Sequence, residues 1–127
     1  MKKGLKISII GLGYVGLPLA IEFSKLYEVV GFDINNKRIK ALNQYNDITD
    51  ETSSKSLKKA LSKNLKITSL ESDISNSDVF IVTVPTPITE KKIPDLSYLK
   101  SASRTVGSYL KPDNVVIFES TVYPGCT

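Results

Sequence analysis

Short apolar runs of β type alternate along this chain with stretches in which apolar residues recur at helical spacing. Leu5 to Ile10 reads as a buried strand, and Val15 to about Leu26 as a helix with Val15, Leu19, Phe23 and Leu26 on one face. Pro18 is tolerated in the first turn of that helix, where a missing N–H has little to lose. Glu28 to Phe32 is the second strand, after which Asn35 or Asn36 caps a short helix reaching Leu42 or Asn43. Tyr45 to Lys55 is polar and nearly patternless, a loop or irregular turn. Beyond it the pattern predicts a helix over Ser56 to Leu61, a short strand over Leu65 to Thr68 and a short connection or helix over Leu70 to Asn76. Asp78 to Val84 is the clearest later strand, stopped by Pro85 and Pro87, and Pro87 to Asp95 is a loop with Glu90, Lys91 and Lys92 at its exposed tip. A longer helix from about Leu96 to Leu110 packs through Leu99, Ala102, Val106 and Leu110, and Val115 to Phe118 is a fifth strand.

A repeated strand–helix alternation of this kind implies a parallel sheet covered on both faces. The fold class is therefore α/β, a Rossmann-type doubly wound parallel sheet. Right-handed crossovers give the strand order 3-2-1-4-5. Ligands of such sheets bind beyond the carboxyl ends of the strands, where the order reverses. Gly11 to Gly16, Asp33, Pro85-Thr86-Pro87 and Glu119-Ser120-Thr121 all fall at those ends.

The first of these segments carries the chemistry. Gly11, Gly13 and Gly16 follow a strand and open a helix, the context that a dinucleotide-binding glycine turn requires. A pyrophosphate lies almost on the backbone at a helix start, where N–H groups and the helix dipole favour negative charge. Gly11 makes the tight turn, Gly13 leaves room for the pyrophosphate, and Gly16 lets the helix press against the sheet. Asp33, twenty-two residues beyond Gly11, ends the second strand at the offset where a carboxylate accepts the adenosine ribose hydroxyls. Its charge repels the extra phosphate of NADP and favours NAD. Lys37 and Arg38 pull the other way, since either is able to pair with a phosphate. Thr86, between two prolines, places a hydroxyl where it can meet cofactor or substrate.

A length of 127 residues is enough for one core, so the chain is one domain. The net charge of +4 comes mainly from lysines scattered between Lys37 and Lys66 and near Lys91 and Lys92. No arginine-rich stripe, interleaved aromatics or helix-turn-helix pattern accompanies them, so solvated helix faces are expected and nucleic acid is not. No apolar run has the length of a membrane span, and the basic Met1-Lys2-Lys3-Gly4 is followed by too short an apolar stretch for a secretory leader. A cytoplasmic protein is expected. Cys126 is the sole cysteine and histidine is absent, which excludes an internal disulfide, a Cys/His metal cluster and a histidine general base within the chain.

Four segments together resemble the NAD-binding domain of the UDP-glucose/GDP-mannose dehydrogenase family: Ile10-Gly11-Leu12-Gly13-Tyr14-Val15-Gly16-Leu17-Pro18-Leu19-Ala20, Gly31-Phe32-Asp33-Ile34-Asn35, Val82-Thr83-Val84-Pro85-Thr86-Pro87-Ile88 with Pro94-Asp95-Leu96, and Glu119-Ser120-Thr121-Val122-Tyr123-Pro124-Gly125. The third and fourth are most similar to the branch that oxidises UDP-N-acetylglucosamine or UDP-N-acetylmannosamine in capsule and O-antigen synthesis. The resemblance implies that Tyr14, Val15, Asp33, Arg38, Thr86 and Thr121 contact NAD, with Pro85 beside them and Thr121 near the catalytic centre. It further implies an enzyme that oxidises C6 of a UDP-sugar twice with two NAD, using a cysteine and a lysine from later parts of the polypeptide.

On this reading the chain is a fragment, a single truncated domain spanning 1–127, inactive by itself and without the nucleotide-sugar pocket. Cys126 is then a small packed or exposed thiol and not the nucleophile. Whole proteins of this kind are expected to be homo-oligomers assembled largely through a central helical region. A sheet ending at its fifth strand is expected to expose apolar surface and to self-associate. A freestanding NAD-binding regulatory module, or the cofactor domain of a 6-phosphogluconate or 3-hydroxy acid dehydrogenase, remain the alternatives.

Overall fold

The computed structural model describes residues 4–46 and 53–119. Five parallel strands form one sheet in the order β3-β2-β1-β4-β5, as expected. They are β1 (Lys6–Ile10), β2 (Glu28–Phe32), β3 (Leu65–Thr68), β4 (Val79–Val82) and β5 (Val115–Phe118). The helices are α1 (Gly16–Ser24), α2 (Asn36–Asn43), α3 (Ser54–Leu61) and α4 (Ser97–Tyr109), with a 3-10 turn over Glu71–Ile74.

Side chains alternate between the two faces of a strand, so each central strand feeds two cores. Ile7 and Ile9 of β1 pack with Leu17, Ala20 and Ile21 of α1, Leu42 of α2 and Leu57 of α3 on one face. Ile10 joins Phe32, Phe80, Val82, Ile74 and α4 residues Ala102 and Val106 on the other. Ser8, in the same strand, is fully buried and hydrogen-bonds through its hydroxyl to that of Ser77.

Register aligns the carboxyl ends of the strands. Ile10 stands opposite both Phe32 and Val82, Phe32 opposite Thr68, and Val82 opposite Phe118. The residues just past those positions, Gly11, Asp33 and Thr83, therefore emerge side by side along one edge of the sheet.

Several boundaries differ from the pattern. Helix α1 buries Gly16, Leu17, Ala20, Ile21 and Ser24, whereas Val15 is 43% and Leu26 78% exposed. The helix is phased by its start, where the backbone at Gly16 packs against the glycine turn. It ends when the Ser24 hydroxyl donates to the Ile21 carbonyl and the Leu26 and Tyr27 N–H groups turn back onto Phe23. Leu26 thus leaves the helical face. Strand β4 stops at Val82, not Val84, and Leu110, expected to pack, is exposed at the end of α4. Asn35 is the cap of α2, its side-chain oxygen accepting from the Arg38 N–H at 3.2 Å. The Pro87–Asp95 loop is pinched by a bridge between Ile88 and Pro94, leaving Glu90, Lys91 and Lys92 exposed at its tip. Most of the patternless stretch from Tyr45 to Lys55 lies outside the described residues, as do Ser120, Thr121 and Cys126.

Candidate cofactor site

The glycine turn is held by groups from three elements. Gly11 has φ +104, in the left-handed region, and its N–H donates to the Phe32 carbonyl of β2 at 2.8 Å. A Cβ there would both strain the backbone and press on Thr83 and Val84 at 3.1 Å. Leu12 turns inward and is fully buried. Its N–H donates to Asp33 Oδ2 at 2.9 Å, while its carbonyl accepts from Arg38 Nε at 2.9 Å and from a terminal guanidinium nitrogen at 2.7 Å. A carboxylate and a guanidinium from the β2–α2 corner thus clamp both polar groups of one peptide residue.

Gly13 and Gly16 are required for different reasons. A Cβ on Gly16 would overlap the Gly11 carbonyl oxygen and come within 2.5 Å of Thr83 Oγ1. The steric demand comes from the turn's own backbone and from Thr83, the residue after β4. A Cβ on Gly13 would meet no atom of the described residues within 4 Å. Gly13 is exposed and lines the cleft, so no contact among the described residues accounts for its small size, and room for a ligand does. N–H groups at the start of a helix lack carbonyl partners four residues back, and the first such bond here runs from Leu17 N–H to the Gly13 carbonyl. The segment before Leu17 therefore presents donors to an anion.

Asp33 has two backbone partners. Besides Leu12, it accepts the Asn35 N–H on Oδ1 at 2.9 Å, and its own N–H donates to the Thr68 carbonyl at 3.2 Å. Each carboxylate oxygen keeps a further lone pair, so the group is able to accept a ribose hydroxyl as well.

These residues border a cleft of about 520 Å³. Gly11, Leu12 and Gly13 line it with Phe32, Asp33, Ile34 and Arg38, together with Val84 and Pro85 after β4 and Tyr98, Ser101, Ala102 and Thr105 of α4. Of the residues expected at the site, Gly11, Gly13, Asp33, Arg38 and Pro85 are brought together here. Gly16 supports the turn from beneath, and Tyr14 and Val15 are exposed at its crest without lining the cleft. Thr86 is buried at 8% exposure and does not line the cleft either. Thr121 lies outside the described residues. Nothing in the sequence signals the α4 contribution, because Tyr98 and Ser101 fall off that helix's apolar stripe and only the tertiary fold brings them to the cleft that Asp33 borders.

The donor set, the bare glycine and the carboxylate fit a dinucleotide. A family model described as the UDP-glucose/GDP-mannose dehydrogenase family, NAD binding domain, matches residues 5–127. The chain belongs to that family. Its cofactor is NAD. Among its relatives, UDP-N-acetyl-D-glucosamine 6-dehydrogenase of Salmonella typhi is 53% identical over 123 residues, covering 97% of this chain and 28% of the relative. The Pseudomonas aeruginosa protein of the same name is 54% identical over 125 residues, covering 98% of this chain and 29% of the relative. A solved structure of UDP-D-ManNAc dehydrogenase from Pyrococcus horikoshii superposes with a TM-score of 0.87 at 43% identity, covering 95% of this chain and 29% of that one. The chain thus spans under a third of the length of each of these three relatives. Membership of this family sets aside the 6-phosphogluconate and 3-hydroxy acid dehydrogenase readings.

Proposed function

We propose that these residues are the NAD-binding part of a UDP-N-acetylhexosamine 6-dehydrogenase that oxidises the C6 alcohol of its sugar to the acid with two NAD. The observation that carries this reading is the 53% identity, over nearly the whole chain, to a UDP-N-acetyl-D-glucosamine 6-dehydrogenase. Bound NAD supplies the hydride acceptor. The chain holds its pyrophosphate on the N–H groups between Gly13 and Leu17 and its adenosine ribose on Asp33. Arg38 fixes the turn through Leu12, and Thr121 is assigned a contact with NAD from the family resemblance alone. The catalytic cysteine, its lysine and most of the nucleotide-sugar pocket belong to the remainder of a longer, homo-oligomeric, cytoplasmic enzyme serving capsule or O-antigen synthesis.

Two measurements test this. Calorimetric titration of the 127-residue chain with NAD and with NADP is expected to give saturable NAD binding and weaker NADP binding. The whole protein, given UDP-N-acetylglucosamine, UDP-N-acetylmannosamine or UDP-glucose, is expected to form NADH with an N-acetylhexosamine substrate in a ratio of two per sugar. Turnover of UDP-glucose alone would overturn the substrate assignment and leave the cofactor assignment standing.

A further inference from the structure

Thr83 is the first residue beyond β4, and its N–H continues the ladder by donating to the Ile10 carbonyl at 2.8 Å. Its side chain is buried at 8% exposure in an otherwise apolar run from Val79 to Val84. For packing alone, valine has the same shape. A hydroxyl in such a place has to find an acceptor. Thr83 Oγ1 donates to the Gly11 carbonyl at 2.6 Å and lies 3.3 Å from the Ile10 carbonyl. It has one proton, and the shorter contact takes it.

The accepting carbonyl matters because of where it sits. Gly11 is held at its N–H by the Phe32 carbonyl and at its C=O by Thr83, so its peptide is pinned from β2 and β4 together. The plane of the Gly11–Leu12 peptide then sets the direction of the Leu12 N–H, the one received by Asp33 at 2.9 Å. The start of α1 also rests on this junction, since a Cβ on Gly16 would strike both the Gly11 carbonyl and Thr83 Oγ1. One hydroxyl joins β1, β4 and α1 directly beneath the donors that face the cleft.

We propose that Thr83 is a positioning residue for the cofactor, acting through the Gly11 carbonyl to hold the glycine turn in its anion-binding shape. It does not line the cleft, so it acts without touching NAD. This inference rests on the NAD-binding reading, and its test separates the two. Thr83→Val keeps the shape and removes the donor, and Thr83→Ser keeps the donor and removes the methyl. Thr83→Ala removes the donor without pressing a methyl on the carbonyl, which covers the case in which the valine chain fails to fold.

Each variant is compared with the parent chain by NAD titration, by thermal melting and by the backbone amide resonances of residues 11–17 without ligand. Thr83→Val and Thr83→Ala are expected to weaken NAD binding about three- to tenfold, the scale of one hydrogen bond, and to shift those resonances. Thr83→Ser is expected to stay within about twofold of the parent. A valine variant that binds like the parent, or a serine variant as impaired as alanine, would overturn the proposal. Should the parent itself bind no NAD, the functional reading fails on that result alone. The resonances still decide the role of Thr83, because an unmoved turn in the alanine variant would remove it.

Discussion

Replacing Asp33 should cost stability before any cofactor is added. Its carboxylate receives two backbone N–H groups, from Leu12 and Asn35, each at 2.9 Å. A hydrogen bond to a charged group contributes roughly 1.5–3 kcal/mol. Asp33 is half-buried beside an open cleft, so water partly replaces the lost acceptor, and about 2 kcal/mol for the pair is the reasonable figure. For a domain of this size each kcal/mol moves the melting temperature by about 3–5 °C, so Asp33→Ala should melt about 6–10 °C lower. Asp33→Asn should fall close to the alanine variant. Its amide nitrogen must face one of the two N–H donors, leaving a donor opposite a donor.

NAD affinity supplies the second readout. If Asp33 also accepts the ribose hydroxyls, both variants should lose a further 1.5–3 kcal/mol or so of binding, about ten- to 150-fold in Kd. Removal of the carboxylate should narrow the gap between NAD and NADP, since the charge that repels the extra phosphate is gone. Scanning fluorimetry and calorimetry on the same preparations measure both effects. An asparagine variant that melts with the parent would refute the structural role, and folded variants with unchanged NAD affinity would refute the ribose role.

The two later glycines should separate fold from function. Gly13→Ala should melt within about 2 °C of the parent, because its methyl meets nothing, yet lose most NAD affinity. Gly16→Ala should lose about 3 kcal/mol of stability, because its methyl overlaps a backbone carbonyl; equal melting of these two variants would sink the distinction. Asp73 is held below the usual 3.8, chiefly by the Thr68 hydroxyl donating to it at 2.7 Å and further by Lys66, against the opposing effect of burial. A lowered folded value means that the unfolded chain binds more protons in the acid range, so this contribution is present above about pH 4 and fades as pH falls through the folded value. In urea melts the stability gap between parent and Thr68→Val should therefore be widest near neutrality and shrink below about pH 4, whereas a constant gap would remove Asp73 from the account. Val115, Ile117 and Phe118 of β5 are 50%, 39% and 55% exposed. Light scattering should show concentration-dependent association, reduced in Phe118→Ser, and a parent chain that stays monomeric at high concentration would rule this out.

What the sequence disclosed, and what it withheld, divide along the range of the interactions. The strand, glycine turn, helix and acid at Lys6 to Asp33 were legible because each is set by neighbours a few residues apart. A cap at Asn35 or Asn36 and the strand order followed from equally local or topological rules, and the structure selects Asn35. Of the face expected on α1, Leu19 and Phe23 pack against the core, whereas Leu26 fits the helical period but lies beyond Ser24, where the chain has already turned back onto Phe23. Position alone makes Arg38, like Lys37, able to pair with a phosphate, and gives no sign that its guanidinium reaches the Leu12 carbonyl, 26 residues away. Thr83 looked like one more residue of a strand. Its hydroxyl gains meaning only from Gly11, 72 positions earlier and adjacent across the sheet.

The Arg38 geometry also bears on which cofactor the turn accepts. An acid at the end of β2 opposes NADP only weakly if a neighbouring cation is able to swing over to the added phosphate. Arg38 is 9% exposed and makes a forked pair of bonds to Leu12, so reaching outward would release the carbonyl that it anchors. Hydrogen bonds from a charged donor are worth roughly 1.5–3 kcal/mol each, and breaking both would leave that buried carbonyl without those donors. The turn would loosen at the residue preceding Gly13, where the pyrophosphate is proposed to sit. Any interaction gained at the adenosine end of NADP would thus be offset at its centre. Lys37 is exposed and makes a poorer substitute, because a flexible solvated ammonium gives up hydration and rotamer freedom to bind a phosphate. A preference for NAD over NADP is therefore expected in this chain from the carboxylate of Asp33 together with a guanidinium committed to the backbone.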